Sequence, residues 1–81
     1  MYKEVLRRNI RKIHTTPMGL KRIAKNLNIK EKNALIYCKE KLLEEGCIVF
    51  KKGKNFYCTF DNIVITINSH SYTIITAHVL S

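Results

Sequence analysis

At Gly46 the spacing of apolar residues switches from the three-to-four step of a helix to the two-residue step of a strand, and it does not switch back. Few architectures accommodate one such change in 81 residues. Before it, "YKEVLRRNIRKIH" sets Tyr2, Leu6, Ile10 and Ile13 on one stripe beside Val5, which predicts a first amphipathic helix. "HTTPMGLKRIAKNLNI" follows, with Thr16 suited to an N-cap and Pro17 to the first helical position, where its missing N–H costs nothing. Leu20, Ile23, Ala24 and Leu27 then recur at helical spacing. A third helix is predicted from about Lys30 to Glu45, with Ala34, Leu35, Cys38 and Leu42 inward and Gly46 as a left-handed cap. Ile36 and Leu43 add a second apolar strip, which predicts that this helix lies between the other helices and a sheet.

Beyond Gly46, "CIVF" and "NFYCTF" flank the tip "KKGK", a hairpin in which Gly53 supplies the unusual backbone angle. "DN" turns the chain into "IVITIN", and "SHS" turns it into "YTIITAHV". The expectation is one α+β domain over residues 1–81: three N-terminal helices (1–46, a basic layer) followed by a four-strand antiparallel meander (47–81). Alternation directs Phe56, Cys58, Phe60, Ile63, Ile65 and Ile67 toward the helices. In the last strand, Thr73, Ile75, Ala77 and Val79 are expected inward and Tyr72, Ile74, Thr76 and His78 outward. The outer face then gathers Tyr57, Thr66, Asn68, Tyr72, Thr76 and His78 as a polar, partly aromatic platform. The same uncharged last strand is a poorly protected edge, through which a homodimer can form.

Charge is placed unevenly along this plan. Residues 1–30 carry nine Lys/Arg against Glu4 alone, and no Lys or Arg follows Lys54, within a net charge of +9. Such a field calls for a polyanionic partner, nucleic acid first and an acidic protein or membrane surface next. No stretch is apolar enough to span a bilayer and no apolar leader follows Met1, so a cytoplasmic protein without a membrane partner is expected. Cys38, Cys47 and Cys58 lack any CxxC spacing and suit small buried hydrophobes. Their separations from His14, His70 and His78 match no common zinc pattern, and neither a metal nor a cofactor is expected.

The leading functional expectation is binding of nucleic acid (RNA or DNA) or of a nucleoprotein complex, without catalysis. Arg7, Arg8, Arg11, Lys12, Lys21, Arg22 and Lys25 would hold phosphates from the helices, and Lys51, Lys52 and Lys54 from the hairpin tip. Asn55 and Tyr57, with Thr66, Asn68, Tyr72 and Thr76, would meet bases from the sheet. Residues 22–60, "RIAKNLNIKEKNALIYCKEKLLEEGCIVFKKGKNFYCTF", resemble a winged helix-turn-helix. That resemblance implies Lys32, Asn33 and Lys39 near a DNA groove and the hairpin as wing. Basic helices before a meander also resemble the toxin nucleases of the RelE and barnase-like group, which implies a metal-independent endoribonuclease. His78, His14 or His70 would then be acid or base and Tyr57 an acid, beside Arg22 and Lys54 on the phosphate. A third expectation is a phage-type inhibitor of a host nucleoprotein machine, its sheet on a protein and its helices in a nucleic-acid channel.

"HTTPMGLKRIAKNL", "GKNFY" and "ITINSHSYTIITAH", in that order, are similar to a family of short bacterial and phage proteins classed as a domain of unknown function. The resemblance covers nearly the whole chain. It implies a self-contained domain whose signature includes His14, Thr15, Thr16, Arg22, Lys54, Asn55, Tyr57, Thr73, Thr76 and His78.

Overall fold

Residues 2–80 are described by a computed structural model. The first helix, α1 (Tyr2–Arg8), is shorter than its apolar stripe predicts. Asn9 ends it: its side-chain amide donates to the Val5 carbonyl at 2.8 Å, and the chain tightens into a 3-10 turn over Ile10–Lys12. The tightening turns Ile13 into the core and releases His14 as extended chain.

Helix α2 (Pro17–Leu27) begins as expected. The Thr16 hydroxyl accepts from the Gly19 amide at 3.0 Å, and Pro17 occupies the first turn. Its left-handed cap is Asn28, at φ 56°. Helix α3 (Glu31–Leu43) ends earlier than expected, and Gly46 is no left-handed cap: the residue at the cap is Glu44, in an extended conformation. Gly46 lies close against Phe60 instead, since a Cβ there would press on the ring at 3.3 Å. Lys3 reaches from α1 to the Glu44 and Glu45 carbonyls, a cation at the negative end of α3.

The strands are β1 (Ile48–Lys52), β2 (Asn55–Phe60), β3 (Ile63–Asn68) and β4 (Ile74–Val79), in the antiparallel order β1-β2-β3-β4. The fold is therefore α+β, three helices followed by a four-strand meander. Gly53, at φ 62°, turns the first hairpin. Helix α1 packs on β1, α2 on β4, and α3 on both helices and β2. Leu6, Ile13, Ile23, Ala34, Cys38 and Leu42 from the helical side meet Phe56, Cys58, Ile65, Ile67, Ile74 and Ala77 from the sheet in one core. Each large aliphatic side chain buried there contributes about 1.5–3 kcal/mol. The second apolar strip of α3 is not buried between layers: Ile36 and Leu43 are exposed.

All three thiols are free and buried. Burial pushes the Cys38 thiol up to about 12 and raises Cys58 as well, with the neighbouring Cys47 and Cys38 adding to the latter effect. Burial also raises Cys47, against the opposing charge of Lys3. Among the described residues no group of three or more His, Cys, Asp or Glu is placed to hold a metal ion.

One irregularity reorders β4. Thr66 pairs with Thr76 and Ile67 with Ile74, which leaves Ile75 as an extra residue, a β-bulge. Ile74 consequently faces the core and Ile75 the outside, the reverse of the strict alternation expected from sequence. Tyr72 lies ahead of the strand in a left-handed conformation, φ 58°, and its ring packs against the core. It is not a member of the outer face.

Candidate nucleic-acid interface

The pairing register fixes what the outer face of the sheet carries. Ile48 lies across from Thr59, Phe50 from Tyr57, and Lys52 from Asn55; Tyr57, Thr66 and Thr76 then run in a row, as do Thr59, Val64 and His78. The helices pack against the opposite side, so this face carries no second layer among the described residues. On its β1–β2 side the Phe50 and Tyr57 rings stack, centroids 5.4 Å apart and planes within 20°. Phe50 is nevertheless 48% exposed and Ile48 is exposed beside it, while Ile75 is exposed on β4, at the far edge of the sheet. Lys52 and Lys54 stand at the hairpin end of the face, whereas Asp61 lies in the β2–β3 turn at the other end.

Several expected platform members are already engaged. Thr66 is buried between its cross-strand neighbours, so its hydroxyl is not offered to solvent. The Asn68 side-chain oxygen accepts from the His70 and Ser71 amides at 2.9 and 3.0 Å, which folds the β3–β4 turn. Asn55, Tyr57, Thr76 and His78 remain half-buried on the face. Phe50 and Ile48 escape a reading by composition, although the register of a hairpin turning at Gly53 aligns "IVF" with "YCT" and puts both beside Tyr57.

Arg7, Arg8, Arg11, Lys12, Lys21, Arg22 and Lys25 are all exposed, but they belong to the helical layer on the other side of the sheet. Grip and platform thus lie back to back rather than side by side. Arg7 pairs with Glu4 at 3.4 Å, the one ion pair among the described residues. Lys51, Lys52 and Lys54 are exposed around Gly53. An open recess at the end of α3 is lined by Glu40, Lys41, Leu43, Glu44 and Glu45, the wrong charge for a polyanion. The outward side of α3 carries Ile36, Glu40 and Leu43 beside Lys32 and Asn33, a poor surface for reading a groove, and Lys41 lies over the Tyr37 and Phe60 rings.

The three residues expected as acid and base do not converge. Tyr57 and His78 share the outer face but stand two strands and two residues apart, about 12 Å from strand spacing and rise. His14 is at the opposite end of β4 from His78. There it forms a strap: the His14 amide donates to the Tyr72 carbonyl at 3.1 Å, and the Ile74 amide donates to the His14 carbonyl at 2.7 Å. The Thr15 hydroxyl donates to the Ile74 carbonyl at 3.0 Å, and the Asn26 amide donates to the Ala77 carbonyl at 3.2 Å. These groups occupy the β4 edge through which a homodimer was expected. The His14 ring is held from both sides, Nδ1 donating to the Lys12 carbonyl (2.8 Å) and Nε2 against the Thr73 hydroxyl (3.2 Å).

The family described as "Protein of unknown function (DUF3781)" matches residues 7–78. The chain belongs to this family. Within the DUF3781 span, the strap residues His14 and Thr15 meet Thr73 and Ile74 from the far end of the sequence. The match carries no helix-turn-helix or toxin-nuclease assignment. No curated protein and no solved structure matches the chain. Among the described residues of this DUF3781 member, no helix is long and apolar enough to cross a membrane.

Proposed function

We propose that the protein binds nucleic acid and performs no chemistry of its own. The observation that carries this reading is uncompensated charge: of the seven cations on α1, the 3-10 turn and α2 named above, only Arg7 has an acidic partner among the described residues, in a chain of net charge +9. Like charges gathered on one layer of a small domain repel one another and favour a polyanion that releases its counterions on binding. Three free, buried thiols suit a reducing compartment such as the cytoplasm.

Titration of labelled single-stranded and duplex oligonucleotides over a salt series tests the proposal. Affinity should fall linearly on a log–log plot, and replacing Arg8, Arg11, Lys21 and Arg22 together by Gln should flatten the slope by about 0.7–0.9 for each phosphate no longer neutralised. Absence of binding to every oligonucleotide at low salt would refute it. Cleavage of RNA in EDTA by the purified protein would instead establish an enzyme.

A further inference from the structure

We infer that the uncovered sheet face is a binding site for single-stranded nucleic acid, with bases stacked on the Phe50–Tyr57 pair and phosphates against Lys52 and Lys54. This rests on the nucleic-acid reading and names its ligand class and surface. Large aromatic side chains on a strand normally gain from being covered, yet here two rings stack on each other with no element over them among the described residues. The ring surface they do not turn toward each other, most of it on the exposed Phe50, fits partners that are themselves flat and apolar but attached to charge. Unpaired bases answer that description. Duplex bases do not, because their faces are consumed by stacking within the helix.

Charge selects among the occupants such a face can take. Lys52 lies on the face, directly across from Asn55, and Lys54 follows at the tip, while no strand residue on the face is acidic. A second copy of this chain would bring those lysines, and net charges of +9, against each other. A purely apolar partner would leave the lysines without a counterpart. A single strand supplies both complements, stacking surface for the rings and phosphate for the ammonium groups.

Fluorescence anisotropy with a labelled ten-nucleotide pyrimidine strand and its duplex tests the inference. The pair F50A/Y57A should weaken single-strand binding about tenfold or more while leaving the salt slope unchanged. Because those rings also pack on each other, F50L/Y57L serves as a second variant that keeps apolar bulk, with circular dichroism checking that both fold; it should weaken binding likewise. K52Q/K54Q should flatten the salt slope. Wild-type affinity in F50L/Y57L, or tighter binding to duplex than to single strand, would overturn this site and leave the nucleic-acid reading standing. Failure to bind any oligonucleotide would remove both. Sedimentation of wild type as a dimer that F50A/Y57A turns into a monomer would give the face to a second copy and overturn the inference.

Discussion

Gly19 illustrates how much a single position can hide. Glycine inside a helix is ordinarily worse than alanine by about 0.5–1 kcal/mol. In α2, however, a Cβ at Gly19 would overlap the Thr15 hydroxyl, which is the group that bonds the Ile74 carbonyl. Gly19→Ala should therefore lower stability by about 1–2 kcal/mol, read as a drop in urea midpoint. In a Thr15→Ala background the same change should cost less, because the hydroxyl it displaces is gone. An increase in midpoint on Gly19→Ala alone would contradict the geometry. Thr16 and Pro17 are legible as a helix start because a cap is local chemistry. The need for Gly19 is not, since Thr15 is fixed by a strand 59 residues away.

At the scale of elements, the change of period at Gly46 places both layers and the strand order, since periodicity reports which side of each element is dry. It fails where an element is irregular. The break of α1 at Asn9 comes from a side-chain bond to Val5, and the bulge at Ile75 from a register that only the paired strand sets. Two adjacent isoleucines give a direct check of the bulge. Ile74→Thr should destabilise by about 1–3 kcal/mol, as apolar burial is lost and a hydroxyl enters the core, while Ile75→Thr should stay within about 0.5 kcal/mol. Thermal unfolding of the two variants would decide it, and the opposite ranking would place the bulge elsewhere. The candidate site suffers from the same limit. Alternation puts both Tyr57 and Tyr72 outward; Tyr57 is there, but Tyr72 is not, because the chain turns left-handed just before β4.

For the whole molecule, electrostatics and topology pull against each other. A net charge of +9 with one ion pair among the described residues means that folding gathers like charges into a body of radius of gyration 11.3 Å. Screening shortens from about 30 Å at 0.01 M salt to about 8 Å at 0.15 M. The urea midpoint should therefore rise with sodium chloride across that range, and a falling midpoint would mean that attractive pairs outweigh the repulsion. The overall charge asymmetry is plain from the order of residues, and strand alternation, which turns one sheet face toward the helices, already puts the cationic layer and the outer face on opposite sides. Topology has a further effect through the strap. Residues 14 and 15 wait for residues 73 and 74, and Asn26 waits for Ala77. During synthesis on a ribosome, α1 and α3 can pack with β1 and β2 as these emerge, but α2 and the strap cannot complete their contacts until the last strand has emerged. Until then the side of α2 that meets β4 stays bare, and the closing of this layer is left to a late step.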